Sequence, residues 1–166
     1  MIIRHETPAD IQAITDVTIA AFTDHPISNL TEHFIIQALR EAGALTLSLV
    51  AETDGRVVGH IAFSPVEISD DASDWYGLGP ISVLPELQRQ GIGSALMNEG
   101  LSIVKQMGAR GVALVGDPNY YQRFGFRNIP QLLHEGVPPE VFLVLPLSED
   151  IPEGTVAFHE AFLATG

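Results

Sequence analysis

The sequence predicts an α/β fold built on a mixed, twisted sheet. Three observations carry that expectation. Segments of helical period alternate with β-rich runs along the 166 residues. Asp54-Gly55 joins two of those runs as a tight hairpin would. Trp75 to Leu96 reads as strand, loop, helix. The length suits a single domain, residues 1–166, whose core can bury about 70% of the unfolded surface. With 46% hydrophobic and only 17% charged residues, disorder is excluded.

Taken in order, Ile2 and Ile3 open a short strand, and Thr7-Pro8-Ala9-Asp10 supplies a capping hydroxyl, a proline for the first helical position and an early acid. A helix is expected from Pro8 to Phe22, because Ile11, Ile14, Val17, Thr18 and Ala21 recur at three- and four-residue steps. After the His25-Pro26 break, a second helix is expected over Thr31 to Ala42 on Phe34, Ile35, Ala38 and Leu39. Leu45–Thr53 and Arg56–Val66 form the hairpin, and the acidic run Ser69 to Asp74 is a solvated loop before the strand Trp75–Val83. In that strand the apolar phase changes, from Tyr76 and Leu78 on even positions to Ile81 and Val83 on odd ones. One extra residue must therefore be absorbed at Gly79-Pro80, as a β-bulge in a central strand. Gly91 to Gln106 is helical and Gly108 stops it; Gly111–Val115 is a short buried strand. Asp117–Phe124 is a brief helix, and Val141–Leu147 and Thr155–His159 are closing strands.

A net charge of −13 repels phosphate backbones, so nucleic acid is not an expected partner. Five of the eight basic residues fall between Arg89 and Arg127, which is where an anion site should be sought. The absence of cysteine removes disulfides, thiolate metal sites and thiol nucleophiles. Six scattered histidines give no metal spacing, so no metal is expected. The charged N-terminus and the shortness of the apolar runs point to a cytoplasmic protein with no membrane partner.

The chemistry concentrates in Leu84-Pro85-Glu86-Leu87-Gln88-Arg89-Gln90-Gly91-Ile92-Gly93-Ser94-Ala95-Leu96. Two glycines where a helix begins let a ligand approach the main chain, and unpaired amide N–H groups with the helix dipole favour an anion such as a pyrophosphate. A dinucleotide fold would want a third glycine at Leu96, and a P-loop would want Gly-Lys-Ser/Thr; neither is present. The same glycines also fit plain capping and packing, and the segment alone leaves both readings open.

Gln88-x-x-Gly91-x-Gly93 resembles the Gln/Arg-x-x-Gly-x-Gly/Ala signature of the GNAT superfamily of acetyl-CoA-dependent N-acetyltransferases. Ile81-Ser82-Val83-x-Pro85 and Ser94-Ala95-Leu96-Met97 look like that family's flanking strand and helix, and Tyr121-Gln122-Arg123-Phe124-Gly125-Phe126 is similar to its Tyr-x-x-x-Gly-Phe element. Gly116-Asp117-Pro118-Asn119-Tyr120-Tyr121 resembles more specifically the YhbS-like branch. The resemblance implies the acyl-CoA N-acyltransferase fold, with helices on both faces of the sheet, over nearly the whole chain.

It further implies that Ile81, Ser82 and Val83 offer main-chain groups to the pantetheine amides. Gln88, Arg89, Gln90, Gly91, Ile92, Gly93 and Ser94 would hold the pyrophosphate, and Asn119 would meet the cofactor despite a shorter connection than many members have. The bulged strand would splay from the one ending at Val115 and open a slot for the thioester. The Val83 N–H is then the expected oxyanion donor and Tyr121 the catalytic acid, while Tyr120 is expected to point elsewhere. For unperturbed groups, proton transfer from a tyrosine to a thiolate is uphill by about 2 kcal/mol.

The base is not singled out: His60, Glu67, Asp117 or water could serve, and His159 stands with them. The cosubstrate implied is acetyl-CoA, and the acceptor expected is a small-molecule amine, with a protein amine as the other class. The negative charge favours a cationic acceptor. Transfer is expected to be direct, without an acyl-enzyme, in a monomer or homodimer. The competing reading is a non-catalytic CoA-binding sensor or interaction module. Pro130–Pro139 is expected to be a surface connection or a roof over the acceptor.

Overall fold

The computed structural model describes residues 1–26 and 28–166. β1 (Ile2–His5) leads through a 3-10 turn, Pro8–Asp10, into α1 (Ile11–Phe22). At that junction the cap works in reverse of the expectation: the Asp10 carboxylate accepts the Thr7 main-chain N–H at 2.7 Å and its hydroxyl at 3.1 Å. Asp10 also takes both terminal nitrogens of Arg4, at 2.7 and 3.0 Å, so this buried acid ties β1 to the start of α1. Ile14, Val17 and Thr18 form the buried stripe of α1. α2 (Glu32–Glu41) follows and buries Ile35, Ile36 and Leu39.

β2 (Leu47–Thr53) and β3 (Arg56–Ile68) make the hairpin, and its Asp54-Gly55 turn has φ of +52° and +76°, as a mirror-image turn requires. β3 outruns its expected end at Val66 because its last residues pair with β8 (Gly154–Phe158). β4 (Trp75–Val83), α3 (Ile92–Gln106) and β5 (Gly111–Val115) fall where the sequence puts them. α4 (Pro118–Tyr121), a two-residue β6 (Leu132–Leu133) and β7 (Phe142–Pro146) complete the set. β6 has no periodicity to announce it; it exists through its parallel pairing with β8.

The main sheet runs β1-β2-β3-β4-β5-β7, with β4 and β5 parallel and its other neighbours antiparallel. α3 covers the odd-numbered face of β3, where Gly59 meets Leu96 and Ile92, and where a Cβ on Gly100 would come within 2.6 Å of the Phe63 ring. The opposite face carries His60 and Ser48, and α2 reaches it through Arg40 and Glu6. A second apolar cluster, including Val66, Trp75, Phe142 and Val156, lies where β8 joins the sheet. The segment 130–139 folds onto β8, with His134 Nδ1 2.9 Å from Val156 O and its ring 4.8 Å from Phe158. In the acidic loop, Ser69 Oγ and Asp70 accept main-chain N–H groups of Thr155 and Glu153 at 2.8 and 3.0 Å and so anchor β8.

Candidate active site

The site begins with a strand that loses its neighbour. β4 pairs with β3 as Gly59↔Val83, His60↔Ser82 and Ile61↔Ile81, and then as Phe63↔Leu78, so one extra β4 residue is absorbed opposite Ala62. That is the bulge the apolar phase demanded, and Gly79 takes φ +136° there, a conformation open to glycine. β5 pairs with β4 only through Trp75, Tyr76 and Gly77; past Gly77 the two strands part.

Register decides what the exposed edge offers. Leu84 N–H donates to Val58 O at 3.0 Å, and the same register makes Ser82 and His60 a bonded pair. Ile81 and Val83 therefore occupy the alternate sites, with N–H and C=O turned away from β3 to the free edge. Gln88 Nε2 donates to the outward Val83 O at 3.1 Å.

Beyond β4, a 3-10 turn over Pro85–Leu87 leads to Arg89 at φ +65° and Gly91 at φ +89°, which caps α3. The first helical bond is Ala95 N–H to Gly91 O at 3.0 Å, leaving the amides of Ile92, Gly93 and Ser94 open at the positive end of a 15-residue helix. Ile81, Ser82, Val83, Gln88, Arg89, Gly91, Gly93 and Ser94 come together along one groove of about 700 Å³.

Three expected cofactor residues put no side chain along the groove. Gln90 is exposed and its amide donates to Glu86 O at 3.4 Å. The Ile92 side chain is in the core against Gly59, so only its main chain faces outward. Asn119 is exposed, and its N–H is taken by Asp117 Oδ1 at 2.9 Å in the cap of α4.

The far wall of the groove comes from Tyr120 and Arg123. Tyr120 does not point elsewhere: its hydroxyl lies across from Gly93, 3.2 Å from where a Cβ would sit. Arg123 holds it there, stacking 4.6 Å over the ring and donating Nε–H to Tyr120 O at 3.0 Å. Their spacing of three residues, which puts both on one side of a helical turn, was the available signal. Arg4, Arg40, Arg56 and Arg110 find carboxylates; Arg89 and Arg123, like Lys105 and Arg127, make no ion pair among the described residues, and these two share the groove. Two unpaired cations on one groove of so acidic a protein mark a place for an anion.

Tyr121 is half-buried beyond the groove wall, its ring against Gly116 just past β5 and 6.1 Å from that of Phe126. Burial, helped by Tyr120 and Asp117, pushes its phenol up to about 12. It stays protonated near neutral pH, so it can donate a proton or a hydrogen bond but does not serve as a phenolate base.

Of the candidate bases, Asp117 caps α4 and His159 Nδ1 accepts Ala161 N–H at 3.0 Å. Glu67 lies in a separate cleft with Ile68, Asp71 and Thr155 where β3 meets β8. His60 is fully buried on the sheet face opposite α3, bonded through Nε2 to Ser48 Oγ at 2.7 Å.

Comparison with known proteins agrees with this geometry. The sequence profile of the Acetyltransferase (GNAT) family matches residues 11–126. The uncharacterized N-acetyltransferase YhbS of Escherichia coli K12 is 38% identical over 127 residues, covering 76% of this chain and 73% of that protein. The crystal structure of YhbS from Escherichia coli in complex with CoA superposes with a TM-score of 0.90 at 33% identity, covering 99% and 93% of the two chains. A GNAT family acetyltransferase from Brucella melitensis, solved in complex with acetyl-CoA, gives 0.87 at 50% identity over 97% of each chain. The chain belongs to the GNAT family of acetyltransferases, within its YhbS-like branch.

Proposed function

We propose that this chain, acting as a single domain, moves an acetyl group from acetyl-CoA directly to the amine of a small molecule in the cytoplasm. The observation that carries this reading is the single groove shared by the free edge of β4, the open amides of α3 and two unpaired arginines. Those donors fit the parts of CoA in order: strand-edge groups for the pantetheine amides, and a helix N-terminus for the diphosphate. The CoA and acetyl-CoA complexes of the two relatives support the same ligand.

When bound, acetyl-CoA supplies an activated thioester whose carbonyl carbon an amine can attack. The outward N–H groups of Ile81 and Val83 provide two donors, one for the pantetheine and one for the negative charge that develops on the carbonyl oxygen. Gly91, Gly93 and Ser94 bring main-chain atoms close to the diphosphate, and Arg89 and Arg123 neutralise it. Tyr121, just past the end of β5 and beyond the point where the two strands part, is the residue assigned to the sulfur. With its phenol near 12, full transfer to a thiolate of ordinary basicity is uphill by about 5 kcal/mol, so a hydrogen bond to the sulfur outweighs complete proton transfer. The net charge of −13 draws in an acceptor bearing an ammonium group.

The test compares thermal stabilisation by acetyl-CoA, CoA and NAD, followed by thiol release against a panel of alkylamines, polyamines, amino acids and short peptides. A ligand that binds only the native state must raise the melting temperature. Stabilisation by acetyl-CoA and thiol release with a small amine are expected. A preference for NAD overturns the reading, stabilisation without thiol release favours a sensor, and release only with peptides moves the acceptor to protein amines.

A further inference from the structure

Among the described residues three buried side-chain polar atoms lack partners, on His60, Ser64 and Ser82, and those of His60 and Ser82 lie across the β3–β4 pair, on the face turned away from α3. His60 has no exposed surface and its Nδ1 has no hydrogen-bond partner among the described residues. Ser82, 2% exposed and equally without a partner for Oγ, is its register neighbour. Side chains so paired have Cβ atoms about 5 Å apart, which makes the two polar groups neighbours on one face of the sheet. Left dry, each costs about 1–3 kcal/mol. Ser82 itself, with Ile81 and Val83, lines the proposed acetyl-CoA groove.

Hydrogen-bond direction sets the tautomer of His60. The Ser48 hydroxyl donates its one hydrogen to Glu6 Oε1 and lies 2.7 Å from His60 Nε2. Nε2 must then be the donor to Ser48 Oγ, which leaves the lone pair on Nδ1, the atom without a partner. Glu6 is in turn held by Arg40 at 3.0 and 3.2 Å near the surface. The charged groups acting on His60 are Glu6, which favours the imidazolium, and Arg40, which opposes it. β2 and β4 present Val50 and Ser82 in register with it, and the buried face of α1 is Ile14, Val17 and Thr18, all uncharged.

We propose that His60 is the proton acceptor of the transfer, acting through the Ser82 hydroxyl or a water bound to it, with Glu6 stabilising the imidazolium through Ser48. This rests on the reading that an amine attacks acetyl-CoA in the groove. The amine nitrogen forms its bond to the carbonyl carbon, where it becomes a far stronger acid than a free ammonium, and its proton passes by way of Ser82 to Nδ1. The carbon–sulfur bond breaks, and the imidazolium returns the proton along the same path to the thiolate. His60 ends neutral with its Nε2–H in place. Burial holds the imidazole down to about 4, so the lone pair is open at neutral pH and the return step to a thiolate is downhill.

His60→Gln and Ser82→Ala are compared with the wild type by acetyl-CoA calorimetry and by thiol release from pH 5 to 9 with the fastest amine of the panel. Nitrogen-15 spectra of the wild-type imidazole read the tautomer without any variant. The proposal expects an Nε2–H imidazole and a kcat loss of about 100-fold or more in both variants, within the usual range for a lost general base. It also expects an acetyl-CoA Kd within about twofold, and log kcat rising with pH in the variants where the wild type is level. An Nδ1–H tautomer, unchanged kcat, or loss of kcat and affinity together with an unaltered pH profile overturns it. Failure of the wild type to bind acetyl-CoA refutes the proposed function first and the relay with it; intact binding with an unmoved profile refutes the relay alone.

Discussion

Replacing His60 with glutamine should alter how stability depends on pH, and the size of the effect follows from burial. The imidazole has no exposed surface and titrates at about 4, against an ordinary 6.5. Because the folded value is the lower one, the unfolded chain binds the proton first as pH falls. Stability contributed by neutral His60 is therefore complete above 6.5 and lost progressively towards 4. The slope approaches 1.36 kcal/mol per pH unit, and over about 2.5 units the total is on the order of 3 kcal/mol. Urea unfolding of wild type and His60→Gln at half-unit steps from pH 4 to 7.5 measures it. The variant is expected to be less stable at pH 7, with the gap shrinking as pH falls, since glutamine does not titrate. A gap that stays level between pH 4 and 6.5 would refute a buried neutral imidazole.

Other outcomes follow from the groove and the β1–α1 junction. Tyr121→Phe should lower kcat by about 100-fold while acetyl-CoA affinity by calorimetry changes less than about twofold; equal losses in both would remove Tyr121 from the chemistry. Arg89→Ala and Arg123→Ala should each weaken acetyl-CoA binding about tenfold, the loss of roughly one charge-assisted hydrogen bond, with a smaller effect at high salt. Asp10 is held well below the usual carboxylate range by Arg4, despite its burial, with help from Thr7. Its contribution is present above its unfolded value of 3.8 and fades as pH falls below it. Asp10→Asn should cost about 2–3 kcal/mol in denaturant melts at pH 7, and less below pH 4.

Local rules made most of the elements legible. Capping residues, helical spacing and the Asp54-Gly55 turn located α1, α2, α3 and the hairpin. A change of apolar phase at Gly79-Pro80 disclosed a bulge because side chains alternate strictly along a strand, so one inserted residue must invert the pattern. One wall of the groove was legible for the same reason, since Arg89, Gly91 and Gly93 are neighbours in sequence, whereas Arg123 reaches it from a separate segment.

Features written within about one helical turn or one strand could be read directly from the residues. The rest needed the folded chain, because pairing between distant segments leaves no local period. β6 exists because β8 lies beside it. Tyr120 lines the groove because Arg123 stacks on it and α3 stands opposite. His60, Ser48 and Glu6 come from three separate segments, and only folding brought their hydrogen bonds into line and left Nδ1 of His60, beside Ser82 in register, without a partner among the described residues.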